Sequence, residues 1–138
     1  MTFAELKNLT KVFLGGDYNL PKNDDTLVAA LSSAYMFAAT KCTALRLLTT
    51  NKDSAIMRIG PGSTYVRMPK LPRDDSDRLD IDSELVPAIG RILAYYIAKD
   101  VTMKEYHKRE ALELMRDYEA KVVEYLEEVN ATTEYEER

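Results

Sequence analysis

Tryptophan is absent from the chain, and cysteine and histidine occur once each, as Cys42 and His107. A single cysteine excludes a disulfide framework within the chain, so nothing in the sequence asks for an oxidising compartment. A single histidine, without a surrounding set of Glu-x-x-His pairs, excludes the di-metal sites that helical bundles build. No run of about 18 charge-free apolar residues occurs, which argues against a membrane-spanning helix. The opening stretch "MTFAELKNLTKVF" has no basic start leading into an apolar core, so no secretory signal is expected. Positive charge is also in deficit. Nineteen Lys and Arg against 23 Asp and Glu leave a net charge of −4, unlike the basic excess of a dedicated nucleic-acid binder. These absences predict a soluble, intracellular chain with no membrane contact.

What remains is the composition of an ordinary globular domain. Over 138 residues, 46% are hydrophobic and 30% charged, enough to bury one core in one domain. Thr2 and Glu5 stand at capping-box spacing ahead of a stripe of Phe3, Leu6, Leu9 and Phe13, and Gly15-Gly16 stops that helix. After the turn-forming "DYNLPKNDD", Asp24 or Asp25 is expected to cap a second helix over about 26–50. Apolar residues occupy nearly every side of it, which predicts a helix in the middle of the fold or between subunits. The stretch "AIMRIGPGSTYVRMPKLP" then reads as two strands, about 55–59 and 64–68, around Gly60-Pro61-Gly62-Ser63. Pro69 and Pro72 keep it out of a larger sheet, and a lone hairpin is marginal in water, so it must lean on the helices or on a partner.

An acidic linker, "RDDSDRLDIDSE", leads to a third helix over about 84–99, with Asp82 or Ser83 as cap and Pro87 near its first turn. Leu85, Ile89, Ile92, Leu93, Tyr96 and Ile97 form its apolar stripe. Thr102 with Glu105 is expected to start the longest helix, about 103–129, on which Met115, Tyr118, Val122, Tyr125 and Val129 make a narrow coiled-coil-like seam. The expected fold is mainly α: a small bundle of about four helices with one inserted β-hairpin. It forms a single domain over 1–130, followed by a flexible acidic tail at 131–138. Leu31, Tyr35, Leu45, Ile89, Leu93 and Tyr96 are the expected core.

The chemical motifs fail one by one. "DDSDRLDIDSE" lacks the glycine at position six and the glutamate at position twelve of a calcium loop. "GPGS" has no Gly-Lys-Ser/Thr after it and is no phosphate loop. His107 is expected to be solvated on a charged helix face, and Cys42 to be a small buried hydrophobe rather than a nucleophile. The tyrosines Tyr35, Tyr95, Tyr96, Tyr118 and Tyr125 fall at helical spacing and suit core or interface packing. "NAT" at 130–132 matches a glycosylation acceptor only as a short pattern. No enzyme activity, cofactor or metal is expected.

Charge is segregated along the chain. From Asn51 to Arg73 the balance is +4, from Asp74 to Glu84 it is −5, and from Glu124 to Arg138 it is −5 again. Such patches suit head-to-tail packing of identical subunits, which closes into rings. A patchy but merely solvated surface is the alternative.

The order of the pieces resembles the tailed-bacteriophage head–tail connector, or adaptor, proteins. The hairpin ending "YVRMPKLP", the acidic turn "DRLDIDSEL", and "IDSELVPAIGRILAYYIAKD" followed by "KREALELMRDYEAKVVEYLEE" carry the likeness, over about residues 24–128. It implies a non-catalytic virion protein at the head–tail interface, present in the host cytoplasm during assembly. It further implies a homo-oligomeric ring, commonly dodecameric, beneath the portal protein. Such a ring extends the channel through which genomic DNA passes without sequence-specific binding, and it docks the tail or further neck proteins. Ile56–Met68 would correspond by position to the contact-making hairpin, with Ile56, Arg58, Tyr65, Arg67 and, just beyond it, Lys70 as partner-binding residues. Two other readings remain open: a cytosolic interaction or regulatory protein dimeric through its C-terminal helix, and a nucleic-acid binder using the hairpin as a β-ribbon.

Overall fold

The computed structural model describes residues 1–15, 20–21, 24–41, 57–58, 66–67, 69–81 and 83–136. At the four strand positions and from 122 onward the description is of backbone alone. Among these residues the chain is mainly helical: α1 (Phe3–Leu14), α2 (Asp24–Lys41), α3 (Val86–Ile97) and α4 (Val101–Glu136), with a 3₁₀ turn at Ser83–Leu85 leading into α3.

The ends of α1 follow from its sequence. The Thr2 hydroxyl accepts from the Glu5 N–H, and Gly15 closes the helix in the left-handed region at φ 75°, where a Cβ would be strained. The other free N–H groups of its first turn are met from a distance. Phe3 donates to the Asp77 carbonyl at 2.9 Å and Ala4 to the Asp75 carbonyl at 3.1 Å, while Leu79 donates back to Met1 at 2.9 Å. The acidic segment is therefore a structured turn that caps α1 with its backbone, and an isolated bridge between Thr2 and Arg78 fixes the alignment. Lys7 ties the same corner to α2, reaching Asp24 at 2.9 Å and Asp75 at 2.6 Å. The hydrogen bonds that Lys7 donates to Asp75 and then to Asp24 hold its ammonium above its usual pKa.

The centre of the fold is α3. Val86, Ala88, Ile89, Gly90, Ile92, Leu93 and Ala94 are all buried, on almost every side of the helix. It touches α1, α2 and α4. At Gly90 the side chains of Phe13 and Leu9 of α1 press on the α3 backbone, and a Cβ would lie 3.0 Å from Phe13 Cε2. The second helix was expected to be apolar all round, in the middle of the fold or between subunits; within this chain α2 buries one side only. Leu27, Leu31, Ala34, Tyr35, Ala38 and Ala39 face the core, but Ala29, Ser33, Thr40 and Met36 (51% exposed) face outward. Small side chains give a helix an apolar look without obliging it to be buried.

Of the expected core, Leu31, Tyr35, Ile89 and Leu93 are at most 1% exposed, Tyr96 is half-buried, and Leu45 lies outside the described residues. The caps of the last two helices also differ from expectation. Ser83 sits inside the 3₁₀ turn, and α3 starts behind Leu85 with no side-chain cap and Pro87 in its first turn. Asp100, rather than Thr102, caps α4: its carboxylate accepts from Thr102 N–H at 2.9 Å and its carbonyl from Lys104 N–H at 2.9 Å. The helical assignment of α4 runs to Glu136, past the expected end at 129 and into the segment expected to be a flexible tail; no glycine or proline follows Gly90 to stop it.

Two further strands, β1 (Met57–Arg58) and β2 (Val66–Arg67), pair antiparallel with Met57 opposite Arg67 and Arg58 opposite Val66. A ladder of two residues per strand does not make a stable hairpin by itself. The rest of the expected hairpin, like Cys42 and residues 42–50 of the expected second helix, lies outside the described residues.

Candidate functional site

The residues singled out from the sequence as partner-binding fall in and beside the short ladder. Arg58 and Arg67 occupy diagonal positions of it, Lys70 is exposed with its N–H bound to Asp80 Oδ2 at 2.9 Å, and Ile56 and Tyr65 lie outside the described residues.

A second group of cations was not anticipated, and it sits on α3 and α4. α3 and α4 are joined by the tight turn at Ala98–Asp100 and pack against each other, so the last turn of one adjoins the first turns of the other. Arg91 and Tyr95, four residues apart, share a face of α3. The Arg91 guanidinium lies 4.0 Å from the centre of the Phe13 ring of α1 and 5.4 Å from that of Tyr106 of α4, and one of its Nη atoms is 3.1 Å from His107 Nδ1. Lys104 and Lys108 stand over Tyr95 at 5.4 and 5.8 Å, and Arg109 over Tyr106 at 5.9 Å. Lys104 also donates to the Tyr95 and Tyr96 carbonyls at 2.9 and 3.5 Å, so its charge meets the free carbonyls at the end of α3. The stacked rings hold these side chains in place without neutralising them. None of Arg91, Lys99, Lys104, Lys108 and Arg109 is in an ion pair among the described residues.

His107 is the buried member of this group. It is 1% exposed, contrary to the solvated position expected of it, and Tyr106 meets it edge-on at 5.7 Å. Arginine only donates, so Nδ1 must accept and the ring is neutral. Burial, and then the Arg91 charge, push its pKa below the ordinary histidine value. A signal for this was present in the sequence: His107, Ala111, Met115 and Tyr118 continue one helical stripe, and all four are buried.

The aspartates at 74–80 are each engaged within the chain. Asp74 accepts from the Ser76 hydroxyl and N–H, Asp75 binds Lys7, Asp77 accepts from the Arg73 and Asp74 N–H groups, and Asp80 accepts from Lys70. The hydroxyl and N–H of Ser76 lower the pKa of Asp74. Among the described residues no group of three or more His, Cys, Asp or Glu is placed to hold a metal ion, and no helix is long and apolar enough to cross a membrane. An open hollow of about 420 Å³ lies between α2 and α3, lined by Ala29, Ala30, Ser33 and Tyr96.

Among the described residues, fold and site together define a mainly helical chain with a cationic and aromatic face on α3 and α4. Comparison with protein-family models, with curated proteins and with solved structures finds no match.

Proposed function

We propose that the chain is a structural virion protein of the head–tail connector kind, a ring-forming adaptor that sits under a portal, extends its DNA channel and docks the tail. The observation that carries this reading is the pairing of α3, buried on nearly all sides, with an α4 three times its length (12 against 36 residues). That pairing falls on the segment "IDSELVPAIGRILAYYIAKD" and its charged continuation, where the resemblance lies. Segregated charge supports it further, because complementary patches on one chain favour head-to-tail assembly.

In this reading the segment around β1 and β2 is a basic arm toward the portal or tail, with Ile56, Arg58, Tyr65, Arg67 and Lys70 making the contact. The test is co-expression with the portal protein encoded with it and capture of the portal. The chain should co-purify in a ring-like stoichiometry, and Arg58→Glu with Arg67→Glu should abolish capture without moving the melting temperature. Capture unaffected by the double reversal refutes the basic arm, and an unfolded variant shows that the arm packs on its own helices. Dimerisation through the α4 seam is disfavoured: Met115 (2% exposed) and Tyr118 (4%), the first two seam residues, are used in the chain's own core.

A further inference from the structure

We propose that the cationic and aromatic face of α3 and α4 receives the acidic C-terminal part of α4, residues 124–136, from a second copy of the chain. This interface deepens the ring reading by naming the two surfaces that meet, and rests on it only in taking the contact to be head-to-tail.

The receiving face carries five cations over Arg91–Glu110 against Asp100, Glu105 and Glu110, and Asp100 is engaged in capping α4. Tyr106, 38% exposed, adds apolar area beside them. The chain offers two acidic stretches as possible occupants. In the turn at 74–80 every aspartate already has an internal hydrogen-bond or ion-pair partner. The other stretch, Glu124–Arg138, has six glutamates and one arginine.

Geometry decides who meets whom. The α4 part of the face and the acidic run lie on one helix, and from Lys108 to Glu127 the axial separation is about 28 Å at 1.5 Å per residue. No side chain spans that distance, so the two patches of one chain cannot neutralise each other. They are complementary only between chains. A contact between unlike patches either repeats from copy to copy into a ring or a filament, or is met twice at once in an antiparallel two-fold dimer, and the ring reading takes the first.

The test is sedimentation equilibrium of the full chain at low and high salt, with melting curves for every variant. Wild type should self-associate at low salt and weaken as salt screens the charges. Lys108→Glu with Arg109→Glu should weaken association by about tenfold or more, and so should Glu127→Lys with Glu128→Lys. Mixing the two variants should restore it, because each then supplies the charge that the other needs. Arg109 is exposed, with its guanidinium over Tyr106, so Arg109→Glu alone is read if the double variant melts early. Wild type that stays monomeric at low salt, variants that associate as wild type does, or a mixture that stays apart would each overturn the interface. Portal-bound rings that persist in Lys108→Glu/Arg109→Glu also overturn it while leaving the adaptor reading standing. Association lost in that variant but independent of any portal upholds the interface and counts against the adaptor.

Discussion

Leu93→Ala should be among the most damaging single changes in the chain. Leu93 is 1% exposed on α3, with Ile89 and Ile92 of the same helix buried beside it and α1, α2 and α4 around it. Truncation to alanine removes three carbon atoms from that environment, about 2.4 kcal/mol of transfer free energy at about 0.8 kcal/mol per buried methylene. A cavity term adds to this where surrounding helices cannot collapse, and Leu→Ala losses then reach about 5 kcal/mol. With helices on three sides, the loss here should be about 3–5 kcal/mol. Urea unfolding reads it directly, as a lower midpoint with an unchanged slope. Met36→Ala is the control: Met36 is 51% exposed on α2, and its loss should stay within about 0.5 kcal/mol. If Leu93→Ala costs less than about 0.5 kcal/mol, or Met36→Ala costs more than Leu93→Ala, then α3 is not the centre of the fold.

Two further changes probe buried polar groups. The Tyr35 hydroxyl is buried without a hydrogen-bond partner among the described residues, and burial, then the Asp80 carboxylate, raise its pKa. Tyr35→Phe should therefore leave stability unchanged or raise it by up to about 1–3 kcal/mol, and a clear loss in denaturant unfolding would mean that the hydroxyl is bonded. His107 is held neutral, with its folded pKa below the unfolded value near 6.5. The unfolded chain takes up that proton first, so this contribution is constant above the unfolded pKa and is lost as pH falls from there through the folded pKa. Melting temperature against pH should show that step in wild type and lose it in His107→Gln; identical profiles would contradict the buried, neutral ring.

Much of α1 was legible because its signals are local: Thr2 and Glu5 at one end and Gly15 at the other specify caps with few neighbours involved. The stripe of α3 was legible for the same reason, since Leu85, Ile89, Ile92 and Leu93 are bulky and regularly spaced. What escaped reading depended on tertiary partners. Backbone carbonyls of Asp75 and Asp77 cap α1, and a carbonyl has no side-chain signature. Asp100 won over Thr102 at the start of α4 because its carboxylate reaches the second N–H of the helix. His107 was misread because its sequence neighbours, Lys104, Glu105, Lys108 and Arg109, are charged, although its neighbours along the helix stripe are Ala111 and Met115. The cationic face was missed for a related reason. Its charges are spread through the sequence from Arg91 to Arg109, and only the packing of α3 against α4 gathers them.

The measurement that bears most directly on the proposed role is the mass of the complex formed when the chain is co-expressed with the portal protein proposed as its partner, taken by native mass spectrometry and paired with electron-microscopic class averages. An adaptor predicts one discrete species, a portal plus a complete ring of this chain, with the ring coaxial with the portal and its central channel open. A portal that carries none of the chain, with the chain recovered as a free monomer or two-fold dimer, would contradict the account.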